Sequence, residues 1–457
     1  MLLEHLEAAY VARTPKSKQA HQRAIQVTPG GVHSNFRNFD PHPISVERAE
    51  GTRLWDVDGN EYIDFTMGFG CLMAGHAHPK VVEAVQEAVT GGTIYAMPHA
   101  RSALLAGEIL KRYPFMDQVR FTNSGSETTM HAVRLARGHT GRELLLKVDG
   151  GYHGSHDPVM VWADEGGERE MLSAGVSQKA LESLITVPFN DLDAVEAVFK
   201  VHPNSIAALI LEPVMMNIGV IPPDEGYLHQ LLDLCRRHGA LLIFDEVKTG
   251  AKLAYGGACE HYSIQPDIVC LAKSIGAGVP LGAFVSTREI MGAIERDEVL
   301  HTGTYNANPI SMAAGLVTLK DVLTRDVYEK TFDLNRQLVE GCNRIIRDHD
   351  LPAVAVGIGP NGTVYFLKDT KGVPLEQRAR HFAHDHSIFE AVDQHMAKAY
   401  LLGMLEHGII PVPFGITCCE QWTISIQHTQ ADIDRHLEAF ADVAVKLKEM
   451  AAEKIIA

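Results

Sequence analysis

The sequence predicts an α/β protein in which a mostly parallel central sheet is joined to a smaller α+β unit. Three observations predict it. Short apolar runs such as Leu144–Val148, Ala207–Leu211, Leu241–Phe244 and Ile268–Leu271 are continuous rather than alternating, the pattern of strands buried on both faces. Helix-sized stretches separate these runs, so each strand can return parallel to the last. Beyond about residue 326 the alternation gives way to long helices with few strands. A chain of 457 residues fits roughly two to three structural units. The predicted divisions are 1–75, an N-terminal segment packing with the small unit, then 76–325, the large α/β domain, and 326–457, the small α+β domain.

Taken in order, residues 1–28 read as helical. The acidic start Met1-Leu-Leu-Glu4 lacks the basic beginning and apolar centre of a signal peptide. Ile44–Phe65 reads as short strands about the turn Asp58-Gly59-Asn60. The helices expected next are Lys80–Thr90, Ser102–Arg112, Glu127–His139, Leu192–Lys200 and Tyr227–His238. Val119–Thr122 and Ala283–Val285 join the strands already named. In the last part Ala353–Val356, Val364–Leu367 and Trp422–Gln427 read as strands, and Thr429-Gln-Ala-Asp432 opens the final helix with a capping-box-like signal. There is no fixed-period repeat or low-complexity tract.

Composition narrows the function classes. With 41 basic against 57 acidic residues the formal net charge is −16 and no basic block interrupts it, which argues against a nucleic-acid partner. The longest apolar runs, such as Ile206–Leu211, fall far short of the ~20 residues of a membrane helix. Seven scattered cysteines, one adjacent pair at Cys418-Cys419 and no CxxC read as reduced thiols of a cytoplasmic protein. His76 and His78, like His153 and His156, have a metal-like spacing, but without an accompanying Cys or Asp cluster no metal is expected.

The chemistry is carried by two strand ends. Lys273 follows Asp267-Ile-Val-Cys-Leu-Ala and opens the glycine-rich Ser274-Ile-Gly-Ala-Gly-Val-Pro-Leu-Gly282, while Asp245 ends Leu241-Leu-Ile-Phe. Alone, Asp245 reads as a strand-end cap and Lys273 as a loop cation. Together they form the arrangement that holds pyridoxal 5′-phosphate: the amine condenses with the cofactor aldehyde, and the carboxylate keeps the pyridine nitrogen protonated so that the ring accepts electrons. Asn123-Ser-Gly-Ser-Glu-Thr-Thr129 follows a strand and opens a helix, where amides and hydroxyls converge on a phosphate. By itself it is equally a plain N-cap. Gly150-Gly-Tyr-His-Gly154 sets Tyr152 at a strand's C-terminal edge, in position to stack on the cofactor ring.

These residues resemble the class-III pyridoxal-phosphate aminotransferases over nearly the whole chain. Leu54–Phe65, Gly75-His-Ala-His-Pro79, Phe244-Asp-Glu-Val-Lys-Thr-Gly250 and Ala272-Lys-Ser-Ile-Gly-Ala-Gly-Val-Pro-Leu-Gly282 carry the likeness, which is greatest toward the glutamate-1-semialdehyde aminomutases and related amino-acid transaminases. The resemblance implies fold type I of the PLP-dependent transferases, like that of aspartate aminotransferase, and a homodimer. It implies Lys273 as the Schiff-base lysine, Asp245 as the pyridinium partner, and Val247 and Tyr152 on the two ring faces. Ser124, Gly125 and Ser126 would hold the phosphate, with Thr304 reaching it from a neighbouring subunit. His153, Glu212 and Asn217 would also line the cofactor. Arg37, in Pro29–Arg37, would pair with a substrate carboxylate, and Glu420, in the C-terminal segment Cys419–His428, would lie on the substrate side.

Several positions depart from the mutase pattern. Lys248, Ala251-Lys252 and Tyr305-Asn-Ala replace an apolar residue, Phe-Arg and a Leu-Ser-Gly type turn, and His33 replaces Asn. The expectation is therefore transfer of an amino group from an amino acid to an oxo acid by a ping-pong route, with intramolecular amino transfer as the alternative and racemisation as a third. A catalytically silent binding protein of this fold would usually have lost the lysine or the aspartate. Trp422, Tyr95, Phe69 and Met215 are pocket candidates whose apolar character also suits the core.

Overall fold

The computed structural model describes residues 2–163, 169–382, 384, 388–412 and 420–456, and the chain divides into two compact units. The larger gathers 79–217 and 221–328, and the smaller takes the residues up to 78, 218–220 and those from 329 onward.

The larger unit is built on a seven-stranded sheet in the order Gln118–Thr122, Gly282–Ser286, Ile268–Leu271, Leu241–Asp245, Ile206–Leu211, Leu144–Val148, Leu184–Val187. Gly282–Ser286 runs antiparallel to both of its neighbours, and the other pairs are parallel. All six residues of Ile206–Leu211 are buried, which accounts for the continuous apolar run. Ala132 and Leu135 of the helix Gly125–Thr140 pack on Leu145, Ile210, Ile243 and Phe284. Each such aliphatic side chain contributes about 1.5–3 kcal/mol on burial. Because the middle strands share one direction, their C-terminal ends bring residues 149–154, Glu212, Asp245 and Lys273 to one edge of the sheet.

The smaller unit joins both ends of the chain. Val46–Glu50, Arg53–Asp56 and Glu61–Asp64 form an antiparallel meander, and Ile409–Ile410 extends it in parallel beside Ile63 and Asp64. Asp56 Oδ1 accepts from the amides of Asp58 (3.0 Å) and Asn60 (2.8 Å), which closes the turn. Leu6, Tyr10 and Phe65 share one core with Leu338, Phe366, Tyr400 and Phe440. The N-terminal helical stretch is two helices, Leu2–Arg13 and Pro15–Ile25, with Pro15 at the first position of the second.

The expected strand Trp422–Gln427 is shorter, ending at Thr423. There the Ser425 amide donates to His428 Nδ1 (2.9 Å) and turns the chain toward the final helix, Gln430–Ile456. Asp432 Oδ2 caps that helix by accepting from the amide (2.9 Å) and hydroxyl (3.0 Å) of Thr429. No helix among the described residues is long and apolar enough to cross a membrane.

Candidate active site

Asp245 is the last residue of its strand and is only 4% exposed. Its Oδ1 accepts from the Val247 amide (3.0 Å), and its Oδ2 lies 2.7 Å from Nδ1 of the buried His153. A carboxylate fixed at both oxygens presents a defined direction to a pyridinium nitrogen. On the adjacent parallel strand Cys270 stands opposite Asp245, and Lys273 follows three residues on, half-buried. Lys273 has φ +51°, a left-handed conformation that is uncommon for a residue with a side chain and concentrates at functional sites.

The loop from Asp149 to Ser155 is tied down on both sides. The Tyr152 amide donates to Glu212 Oε1 (3.0 Å), the Met216 amide to Glu212 Oε2 (3.0 Å), and Asn217 Nδ2 to the Tyr152 carbonyl (3.4 Å). Burial raises the Tyr152 phenol, and the Asp245 charge adds to that. Burial also pushes His156 down to about 4, with His153, Arg137 and Arg134 acting in the same direction. Gly154 has φ +99°, and a Cβ there would stand 2.5 Å from Ser126 Oγ, so the loop needs glycine to approach the helix start.

Ser124 caps the helix Gly125–Thr140, its Oγ accepting from the Glu127 amide (3.2 Å). The first-turn amides of a helix lack intrahelical acceptors, so Gly125 and Ser126 present donors and a positive dipole end to an anion. A Cβ on Gly125 would meet Val247 at 3.2 Å, which puts this turn against the residue expected on a ring face. Lys273, Asp245, Val247, Tyr152, His153, Glu212, Asn217 and the 124–126 turn thus all belong to the larger unit. The donor set fits pyridoxal phosphate: an amine and a carboxylate on neighbouring strand ends, and an anion-binding turn packed on Val247.

Thr304 is also in this unit, exposed, beside a cleft of about 820 Å³ lined by Tyr95, His99, Arg120, Phe121 and Asn306 among others. Asn123 Nδ2 donates to Asn306 Oδ1 (3.0 Å), tying the segment that carries Thr304 to the start of the helix. Nothing local in the sequence signals the contact of Asn306, whose partner Asn123 lies 183 residues away.

Arg37 and Glu420 belong to the smaller unit. Arg37 ends the 3₁₀ turn Asn35–Arg37 and borders a cavity of about 590 Å³ whose walls include Val32, Phe36, Phe39, Leu54 and Phe69. No carboxylate among the described residues forms an ion pair with it. Glu420 is buried, and its carbonyl accepts from Thr363 Oγ1 (2.9 Å). Of the pocket candidates, Trp422 and Met215 are fully buried core residues, and Trp422 Nε1 donates to Asn335 Oδ1 (2.6 Å). The described cysteines Cys71, Cys235, Cys259, Cys270 and Cys342 are free thiols, and Cys418 and Cys419 lie outside the described residues.

Known proteins share this layout. The family model for class-III aminotransferases matches residues 36–443. The glutamate-1-semialdehyde 2,1-aminomutase of Methanopyrus kandleri is 38% identical over 441 residues, covering 96% of this chain and 99% of that protein. An omega-transaminase from Sphaerobacter thermophilus superposes with a TM-score of 0.86 at 30% identity, covering 96% of this chain and 99% of its own. A transaminase solved with PLP bound gives 0.85, also at 30% identity and with the same coverage of 96% and 99%.

Proposed function

The chain belongs to the class-III aminotransferases and is a PLP-dependent enzyme of fold type I; on that premise we propose that it moves an amino group between neighbouring carbons of one small carboxylate-bearing molecule, the reaction type of the glutamate-1-semialdehyde aminomutases. The observation that carries this reading is the match to those aminomutases across almost the full length of both chains.

When bound, pyridoxal phosphate supplies an electrophilic carbon for the amine and a ring that takes up the electrons left by a departing proton. The remaining roles fall to this chain's residues. Asp245, steadied by His153 and the Val247 amide, would pair with the ring nitrogen. Glu212 and Asn217 hold the Tyr152 loop; Val247 and Tyr152 would flank the ring, and Ser124, Gly125 and Ser126 would take the phosphate. Lys273 would hold the cofactor through its Nζ, and the same amine would be the group that moves the substrate proton. Arg37 takes the substrate carboxylate, for which its planar fork is suited, and Glu420 bounds the substrate from the same unit.

Thr304 serves the phosphate of a second copy. The apolar side chains Tyr95, Met97 and Tyr305, which are 44%, 75% and 65% exposed, suit the twofold contact of a homodimer. The free thiols suit the cytoplasm.

A second reading, intermolecular transamination to an oxo acid, is favoured by Lys248 and Lys252. Both are buried where the mutase pattern has an apolar residue and arginine, and omega-transaminases share the fold at 30% identity. Product analysis of the purified holoenzyme decides. Turnover of glutamate 1-semialdehyde with no added acceptor supports the mutase, and strict dependence on 2-oxoglutarate or pyruvate replaces it with the transaminase.

A further inference from the structure

Lys147 lies in the strand Leu144–Val148, has 0% exposure, and takes no part in the roles assigned above. Its Nζ donates to the Val161 carbonyl (2.8 Å) and stands 5.8 Å from the Trp162 ring centre, while Trp162 Nε1 donates to the Gly151 carbonyl (3.4 Å). A buried amine with one carbonyl partner is costly where an aliphatic side chain would pack without penalty. Something must offset that cost.

Sheet register indicates what does. Lys147 stands opposite Ile210 in the parallel pairing, so its side chain shares a face with those of Asp149 and Glu212, each two residues farther along. Asp149 and Glu212 are the charges that act to keep Lys147 protonated, against burial that pulls its pKa down to about 7. Glu212 for its part has no Lys or Arg ion pair within 4.0 Å among the described residues, and each of its oxygens is taken by one backbone amide.

We propose that Lys147 is a positioning residue: its ammonium is the countercharge that keeps the Glu212 carboxylate seated on the amides of Tyr152 and Met216, and so fixes the wall of the cofactor site. The inference rests on the reading of Tyr152 as that wall.

The test is a double-variant cycle on the holoenzyme with K147M, K147R, E212Q and K147M/E212Q. Three quantities are followed: the PLP dissociation constant, the visible circular dichroism of bound cofactor, and the melting temperature. The expected result is that K147M weakens PLP binding about tenfold and alters the visible band. K147R should lose less, and K147M/E212Q should lose less than the product of the two single losses, because one of the two carboxylates facing Lys147 is gone while Asp149 remains. K147M with unchanged affinity, or losses that simply add in the double variant, would overturn the proposal. If K147M does not fold, folding of K147M/E212Q upholds the coupling and its failure to fold refutes it. Y152A separates the underlying reading: unchanged PLP affinity there removes Tyr152 from the wall, while the coupling of Lys147 to Glu212 is still read from the melting temperatures.

Discussion

The strand-end carboxylates of the larger unit and Arg37 of the smaller unit are held in opposite ways. In the larger, the carboxylates at the strand ends are already satisfied, Asp245 by His153 and the Val247 amide, and Glu212 by the amides of Tyr152 and Met216. In the smaller, Arg37 stands exposed on a short 3₁₀ turn at the edge of an apolar-walled cavity, with no carboxylate partner among the described residues. Groups locked before any ligand arrives suit a resident cofactor, since no ordering cost remains when it binds. A guanidinium left without an anion suits a ligand that comes and goes. The difference explains why the cofactor can be assigned from this chain while its substrate needs an experiment.

The largest effect that tests this contrast is at the locked end. K273A should fold, lose the borohydride-reducible adduct with the cofactor, and slow turnover by about 10⁴-fold, the upper range for removal of a positioned proton carrier. Absorbance changes on mixing with an amino donor measure the half-reaction. Persistence of both the adduct and the turnover would show that another amine holds the cofactor.

At the open end the loss should be smaller and of a different kind. If Arg37 takes the substrate carboxylate as proposed, R37A removes a charge-assisted pair worth about 1.5–3 kcal/mol, so KM should rise by roughly ten- to a hundredfold with kcat little changed. R37K should recover only part of this, because a point charge replaces a bidentate fork. PLP affinity should not move. An unchanged KM in R37A would place the substrate carboxylate elsewhere and dissolve the contrast between the two units.

What the sequence made legible follows the same division. The strand ending at Asp245 and the strand Ile268–Leu271, two residues before Lys273, stand out because continuous apolar runs lead into charged residues, a pattern set by burial on both faces. The contact of His153 with Asp245 spans 92 residues, and nothing local signals it. Lys147 gives no signal in the sequence, since a lysine within a strand usually marks a solvent face and the groups that bury it, Val161 and Trp162, lie in a later segment. The edge strand Leu184–Val187 is partly exposed at Ile185 and Thr186 and lacks the two-faced burial that marks its neighbours. Trp422–Gln427 misled in the other direction: Ile424 and Ile426 flank Ser425 like an alternating strand, but Ser425 and His428 bond across a turn.

The smallest expected effect concerns acid, and it belongs first to the smaller unit. His428 and His436 are fully buried around Phe65, with ring centres 4.8 and 4.6 Å from it, and His436 Nε2 lies 3.2 Å from the Tyr400 hydroxyl. Burial pushes His428 down to about 4 and His436 down to about 3, the latter lowered further by His428. Above the ordinary histidine value of 6.5 both rings are neutral in the folded and unfolded chains, so they contribute no slope. As pH falls from 6.5 toward these lowered values the unfolded chain takes up protons that the folded chain resists, and stability declines. In the larger unit His156 and His301, each pushed down to about 4 by burial, add the same sign. H436F keeps an aromatic ring against Phe65 and removes one titrating group, so the melting temperature should fall less steeply between pH 6.5 and 4 than in the unaltered chain. An unaltered slope in H436F would leave the acid sensitivity with His428 or with the larger unit, where H301F provides the matching measurement.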